Sequence, residues 1–248
     1  MKGVESLRAN GVPFGVLAVV TREFLDDFNT ALDFFESLGM DEIGFNPEVI
    51  EGVHEYSTMN PYRSGTLDLF RDFMRECYRR HTAGRLKIRE IREYEQLSKN
   101  PETACISRTD LNTPLRIIVV GHDGAFSTFS PELHRAPLQS GEPFILGNVH
   151  DDHYLDMFTH PLFTSVMGEI VDGHVACSQR CGFFDICGGG SPSHKYFETG
   201  SMASTQTAYC LYRVKERATV LGEEMGRKFF KDALVSELDG RPSRTALP

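Results

Sequence analysis

Four cysteines in the last third of the chain have the residue type and spacing of a metal site. Cys177, Cys181 and Cys187 fall within eleven residues, and Cys210 follows after twenty-two more. The short spacings let three thiolates converge at little cost in loop-closure entropy. Four buried thiolates would repel one another and be poorly solvated, so a bound cation explains them better than packing does. We therefore predict that these four cysteines bind a metal centre.

The spacing alone leaves the nature of that centre open. Two disulfides fit an even count, but the apolar run at residues 16–20 follows no basic segment and is a better buried strand than a signal peptide. The compartment is therefore expected to be reducing and cytoplasmic, which disfavours disulfides. Four cysteines suit zinc and an iron–sulfur cluster equally well.

The residues around the cysteines also suit a thiolate-ligated centre. Gly182 and the glycines at 188–190 allow a close backbone approach with N–H groups aimed at sulfur, and such bonds tune a cluster. Phe183 and Phe184 are positioned to exclude water. The other two cysteines stand apart. Cys77 lies on the apolar stripe of a helix and is expected in the core, whereas Cys105 lies in a polar loop with no evident partner.

The elements that must position this site begin with alternating strands and helices over residues 1–95. This βαβαβ order predicts an α/β fold with a parallel sheet. Strands are predicted at 13–21, 40–49 and 86–91, and helices at 22–39 and 62–80.

The second half of the chain changes character after a polar linker at 96–114. Residues 115–215 predict a small α+β domain, and residues 216–248 a C-terminal helix with a disordered tail. Within these parts we expect a hairpin turning at 122–124, a strand at 143–149, a helix beginning at Pro161 and another from about 211.

Polar side chains follow two of the predicted parallel strands. Thr21 ends the first strand, and Asn46, Glu48 and Glu51 lie at or beyond the end of the second. Barrel enzymes form their sites at such strand ends, although a solvated loop is the simpler interpretation. The acidic and histidine residues at 150–153 are interpreted as helix capping rather than a second metal site.

Charge and hydropathy exclude two broad classes. The net charge of −9 disfavours a nucleic-acid-binding surface, which needs clustered Lys and Arg. No apolar run reaches the ~18–20 residues of a membrane span. We therefore expect neither a nucleic-acid partner nor a membrane.

The stretch "CSQRCGFFDICGGGSPSHKYFETGSMASTQTAYC", residues 177–210, resembles the C-terminal module of radical SAM/SPASM peptide maturases, in particular their GRRM-type branch. "FSTFSPEL", "FILGNVHDD" and "HPLFTSV" are similar to the segments that precede that module. "GVPFGVLAVVT" and "IGFNPEVIEG" are similar to the fourth and fifth strands of its barrel. The resemblance implies the last three strands of a (β/α) radical SAM barrel followed by a SPASM-type iron–sulfur module.

The resemblance also implies a count of clusters. The SPASM pattern has a further cysteine where this chain has Ser191, and upstream cysteines where the hairpin has Ser and Thr. The ligands of one auxiliary cluster are thus missing together, while Cys177, Cys181, Cys187 and Cys210 remain. This favours one auxiliary [4Fe–4S] cluster over zinc. Lys195 and Glu198 belong to the matching run without an assigned role.

The resemblance assigns a reaction to the whole enzyme. Such enzymes cleave S-adenosylmethionine at a second [4Fe–4S] cluster, held by C-x3-C-x2-C, and modify a ribosomally made precursor peptide. This sequence lacks C-x3-C-x2-C, so the chain alone is not expected to cleave S-adenosylmethionine. We expect a truncated product, a remnant or half of a split enzyme, with the open barrel edge covered by a missing N-terminal half or a second copy. The alternative is a non-catalytic peptide- or partner-binding module, stapled by iron–sulfur or zinc.

Overall fold

The computed structural model describes residues 1–99 and 110–229, in which helices surround two small sheets. The first sheet has two parallel strands, β1 (Gly15–Val20) and β2 (Glu42–Pro47), in register from Gly15 opposite Glu42 to Val20 opposite Pro47. Helix α1 (Lys2–Ala9) precedes β1. The mixed α/β class and the parallel pair are thus as predicted.

Two short helices replace the single helix predicted at 22–39. They are α2 (Arg22–Asp26) and α3 (Phe28–Ser37). The break falls at Asp27, whose φ of −142° and ψ of 49° lie outside the helical region. Leu25 and Leu32 are nevertheless both buried, so each helix still turns its apolar side toward the core.

The third predicted strand, 86–91, is wrong as an element. Only Ile88 pairs, as a single parallel bridge to Ile43, and helix α5 (Arg89–Lys99) begins at the next residue. The physical reason is that the Glu90 carboxylate accepts the Phe45 N–H, at 3.2 Å from each oxygen. A side chain in the first turn of a helix thereby satisfies the β2 donor that a third strand would have paired.

Helix α4 (Thr66–Thr82) confirms the second predicted helix, starting four residues later. Cys77 is fully buried on it, as expected of a core residue. Cys105 lies outside the described residues. Helix α5 includes residues 96–99, so the helix continues past the predicted start of the linker.

The hairpin of the second half is present as predicted. Strands β3 (Ile118–Val120) and β4 (Ala125–Thr128) are antiparallel, and the turn closes with Gly124 at φ 85°. The strand predicted at 143–149 is reduced to β5 (Gly147–Asn148), which pairs antiparallel with β4.

Three of the remaining helices carry Cys177, Cys187 and Cys210. The remaining helices are α6 (Pro161–Arg180), α7 (Phe184–Cys187), α8 (Pro192–Thr199), α9 (Ala208–Cys210), a π-helical segment (Leu211–Glu216) and α10 (Arg217–Glu224). The last three are continuous and run through the predicted boundary at 215–216. Short 3-10 turns cover Asp110–Asn112, Pro131–Leu133 and Tyr154–Thr159.

Two hydrophobic cores hold these elements. One joins β1, β2, α4 and α5 to the helix that follows Cys210, with Phe70 and Tyr212 rings 5.0 Å apart. The other lies between the hairpin and α6. Because the first core draws on both ends of the chain, the C-terminal helix fastens the cysteine-bearing segments to the parallel strands.

Candidate metal centre

The four predicted ligands line one enclosed cavity. Cys177 lies in the last turn of α6 and Cys181 directly follows that helix, with its N–H donating to the Cys177 carbonyl at 2.9 Å. Cys187 ends α7 and Cys210 ends α9. The cavity between them has a volume of about 40 Å³, whereas a single water needs ~10–15 Å³.

The thiols surround this cavity rather than meeting at one point. Each of the five cysteines in the described part of the chain is a free thiol. Across residues 1–99 and 110–229, no three His, Cys, Asp or Glu side chains are close enough to hold a metal ion. The metal centre expected at these four cysteines therefore stays a prediction.

Three successive glycines fold the backbone around Cys187. Gly188, Gly189 and Gly190 have φ values of 64°, 93° and 74°, a left-handed run that L side chains rarely adopt. Asn112 holds the turn by donating to the Gly188 carbonyl at 2.9 Å, and the nearby Gly189 N–H lowers the pKa of the Cys187 thiol. The donation of backbone N–H groups to the cysteine sulfurs stays a prediction.

Side chains of two neighbouring segments fix Cys210. The Thr207 hydroxyl caps α9 by accepting the Cys210 N–H at 2.9 Å. The Glu198 carboxylate accepts the N–H groups of Ala208 at 2.5 Å and Tyr209 at 3.1 Å. Thus Glu198, which the sequence left without a role, positions the segment that carries the last cysteine.

Two arginines tie the helix after Cys210 to α4 and to β2. Arg71 on α4 makes a two-pronged contact with Glu216, at 2.6 and 3.0 Å. The fully buried Arg217 donates to the Phe45 carbonyl in β2 at 3.2 Å. The π-helical segment follows Cys210 directly and ends at Glu216, and such segments are frequent at functional sites.

Burial keeps three of the four thiols protonated when no cation is present. It raises the pKa of Cys177, and it raises the pKa of Cys187 to about 11 and that of Cys210 to about 12. Neighbouring cysteines add to each shift, while the Gly189 N–H lowers the pKa of Cys187. A cation entering the site must therefore displace protons from these thiols.

Lys195 adds a positive charge to the cavity wall. Its side chain is only 7% exposed and lies among the cavity-lining residues, where it favours the thiolate forms of Cys177 and Cys187. Within the part of the chain that the structure describes, its ammonium makes no hydrogen bond or ion pair with a carboxylate. Because a buried cation needs compensation, the residues present fit an anionic, thiolate-ligated group.

Hydrogen-bonded hydroxyls occupy the positions where the resemblance expects further cysteines. Ser191 is buried and its hydroxyl lies 2.8 Å from that of Ser193. In the hairpin, the Ser127 hydroxyl lies 2.9 Å from His134 Nδ1, and the Thr128 hydroxyl donates to the Ile117 carbonyl at 2.9 Å. These side chains are engaged within the protein.

The strand-end candidates lie at the C-terminal edge of the parallel pair. Thr21 caps α2 by accepting the Phe24 N–H at 3.1 Å, and Asn46 accepts from Arg89 at 2.8 Å. Glu48 accepts from the Thr58 N–H at 2.6 Å and its hydroxyl at 2.5 Å. The structure thus gives each a local hydrogen bond, and their role toward a cofactor or peptide stays a prediction.

Sequence reasoning missed one contact beside the cavity. His194 Nε2 lies 3.2 Å from Glu51 Oε2, and the His194 ring lies 3.7 Å from the ring of Tyr209. Both His194 and Tyr209 line the cysteine cavity. Glu51 therefore connects the loop after β2 to the metal-site region, a link that residues so distant in sequence do not reveal.

The residues at 150–153 cap a turn, as predicted, but through a histidine. His153 accepts the Leu155 N–H and completes a capping box with Asp156. Asp152, the type of residue expected to cap, instead accepts the Asn148 N–H at 2.8 Å.

Comparison with known proteins gives both a sequence relative and a shared fold. No family model matches the chain. A Synechocystis protein, sll1766, uncharacterized by its description, is 34% identical over 222 residues, which are 89% of this chain and 55% of that protein.

Among solved structures, anSMEcpe with bound AdoMet matches with a TM-score of 0.62 and 18% identity over 90% of this chain and 59% of the other. The same protein with bound AdoMet and Kp18Cys peptide gives 0.63 and 19%, with the same coverage. At this identity the likeness shows a shared fold.

The chain therefore spans little more than half the length of the proteins it matches. None of the helices that the structure describes is long and apolar enough to cross a membrane.

Proposed function

We propose that this chain is the iron–sulfur-binding part of a cytoplasmic radical SAM enzyme that modifies a ribosomally made precursor peptide. The observation that carries the proposal is the single cavity lined by four cysteine thiols and Lys195. Its setting in a fold shared with an AdoMet-bound enzyme supports the assignment. The GRRM-type branch rests on the motif in residues 177–210.

The proposed occupant of the cavity is one auxiliary [4Fe–4S] cluster. Cys177, Cys181, Cys187 and Cys210 would hold it, and such clusters supply one-electron chemistry. In this proposal the Gly189 N–H, which lowers the pKa of the Cys187 thiol, favours its thiolate form. The two phenylalanines at 183–184 line the cavity and limit access of water.

The peptide and S-adenosylmethionine are proposed for the intact enzyme. anSMEcpe has been solved with AdoMet and a peptide together. Thr21, Asn46 and Glu48 lie at or just beyond the C-terminal ends of β1 and β2, so we propose that the cofactor or peptide binds on that side. The second [4Fe–4S] cluster would need a segment with C-x3-C-x2-C.

A partner segment is proposed along β1. Leu17 and Val19 are 68% and 58% exposed, and among the described residues β1 pairs only with β2. An apolar face beside an unpaired strand edge favours association. We propose that the rest of a barrel, on a longer or separate polypeptide, covers it, with a second copy as the alternative.

Anaerobic reconstitution of the purified chain tests the cluster. We expect about four irons and four acid-labile sulfides per chain, and Cys187→Ala should lower both because it removes a ligand. Cys77→Ala is the matched control, since that thiol is buried in the core and does not line the cavity. Circular dichroism should show both variants folded.

Two outcomes would contradict the proposal. Stoichiometric zinc without sulfide would favour a zinc-stapled binding module. Equal loss of iron in Cys187→Ala and Cys77→Ala would show that the cavity cysteines have no special role.

A further inference from the structure

We propose that Lys195 is the counter-cation of the cysteine cavity and raises the reduction potential of the cluster held there. The inference rests on the proposed function, since it requires an anionic cluster between the thiols. It assigns a role to a residue that the matching motif leaves without one.

Lys195 carries a buried charge with no carboxylate partner among the described residues. It lies on α8 and is only 7% exposed, a rare environment for lysine without a partner. Its charge favours the thiolate forms of Cys177 and Cys187, and both cysteines line the same cavity as Lys195. The cysteine sulfurs are therefore groups that can compensate the ammonium.

The Lys195 side chain packs closely against two glycines. A Cβ at Gly173 on α6 would lie 3.0 Å from Lys195 Nζ, and a Cβ at Gly190 would lie 3.8 Å from Lys195 Cε. Both glycines lie in segments that also carry cysteine ligands, and Gly173 leaves no room for a larger side chain beside Lys195 without some rearrangement. The Lys195 side chain is therefore tightly packed beside the cavity.

The charge of the proposed cluster changes when it is reduced. A cluster with four thiolate ligands is anionic, and one-electron reduction adds a further negative charge. A fixed cation in a poorly solvated site stabilises the reduced form more than the oxidised form. Charge and solvent exposure are among the properties by which a protein sets the potential of such a cluster.

Lys215 offers a comparison within the same region. It also acts electrostatically on Cys210, but it is half-buried and hydrogen-bonded to Gln206 at 3.1 Å. Solvent screens such a charge more strongly than the charge of Lys195. We therefore expect that removing the charge of Lys195 lowers the reduction potential of the cluster more than removing the charge of Lys215.

The experiment uses the full chain, reconstituted anaerobically and titrated with dithionite, a low-potential one-electron reductant, while the cluster spectrum is followed. We expect Lys195→Gln to make reduction at least tenfold less favourable, which is 59 mV for a one-electron couple. Lys195→Arg should stay close to wild type, and Lys215→Gln should shift less than Lys195→Gln. Iron is measured in every sample.

Each outcome decides the proposal. An unchanged potential in Lys195→Gln with full iron content overturns it, as does iron loss in both Lys195 variants, because packing would then explain the residue. Iron loss in Lys195→Gln with retention in Lys195→Arg supports the charge role. A wild-type chain that takes up no iron refutes the cluster itself, and the inference fails with it.

Discussion

Replacing Gly173 by alanine should distort the wall of the cysteine cavity. A Cβ at this buried position would lie 2.7 Å from the Met202 carbonyl oxygen, 2.9 Å from Ala203 Cα and 3.0 Å from Lys195 Nζ. The first two neighbours are backbone atoms, which cannot rotate away. The helix and the segment at 202–203 must therefore separate to admit one methyl group.

Gly168 provides the matched control on the same helix. It is exposed, and a Cβ there would meet nothing within 4 Å. Alanine is favoured over glycine in a helix interior by ~0.5–1 kcal/mol, so Gly168→Ala should stabilise the protein by that amount.

Two opposed contributions set the change in the free energy of unfolding of Gly173→Ala. The variant gains the helix propensity of alanine, as Gly168→Ala does, but overpacking costs it ~1–3 kcal/mol. The free energy of unfolding of Gly173→Ala should therefore fall ~1–3 kcal/mol below that of Gly168→Ala. Subtracting the control removes the propensity term and leaves the steric cost.

Urea unfolding followed by circular dichroism measures this difference, provided that the transition is cooperative and the slope is unchanged. Gly173→Ala should also take up less iron after reconstitution, because Lys195 lines the cavity and Cys177 lies on the same helix as Gly173. If Gly173→Ala is as stable as Gly168→Ala, the close packing of α6 is refuted and with it the space argument for Lys195.

Two further predictions concern the glycine turn and an acidic group on α4. Gly190→Ala places an L side chain at φ 74°, which should lower the free energy of unfolding by ~1–2 kcal/mol and lower iron uptake. Gly3→Ala in α1, where a Cβ would meet nothing within 4 Å, should do neither. Equal urea midpoints for the two variants would refute this prediction. Hydrogen bonds from Arg79 and Arg80 lower the pKa of Glu76 from 4.5 to about 2, so its stabilisation is complete above pH ~4.5 and is lost as the pH falls toward 2. Glu76→Gln should therefore lose less stability than wild type between pH 6 and pH 3 in urea titrations. Glu5→Gln on the exposed α1 is the control. If Glu76→Gln shows the same pH dependence of stability as wild type and Glu5→Gln, the assignment is contradicted.

Local sequence patterns predicted the elements whose stability is itself local. The apolar run of β1, the buried stripe of α4 and the turn at Gly124 all appear where periodicity and turn residues place them. These signals work because the side-chain period of a helix or strand depends on backbone geometry alone.

The misplaced elements depend on contacts that the pattern does not contain. The pattern at 86–91 predicts a strand. In the structure the Glu90 carboxylate accepts a hydrogen bond from the Phe45 N–H, and the chain is helical from Arg89. Similarly, His153 rather than an aspartate caps the turn at 154–159. Such choices are made between side chains and distant backbone groups, so they appear only in the folded chain.

The residues with the chemistry of a metal site are visible in the sequence: three closely spaced cysteines, a glycine run that allows a left-handed turn, and a fourth cysteine further along the chain. Their surroundings were set by the tertiary structure. It buried Lys195 among the thiols, joined Glu51 to His194 beside the cavity, and anchored the helix after Cys210 to β2 through Arg217. The physical reason is that ligand type and loop length are properties of a short segment, whereas burial and charge compensation depend on which distant segments pack together.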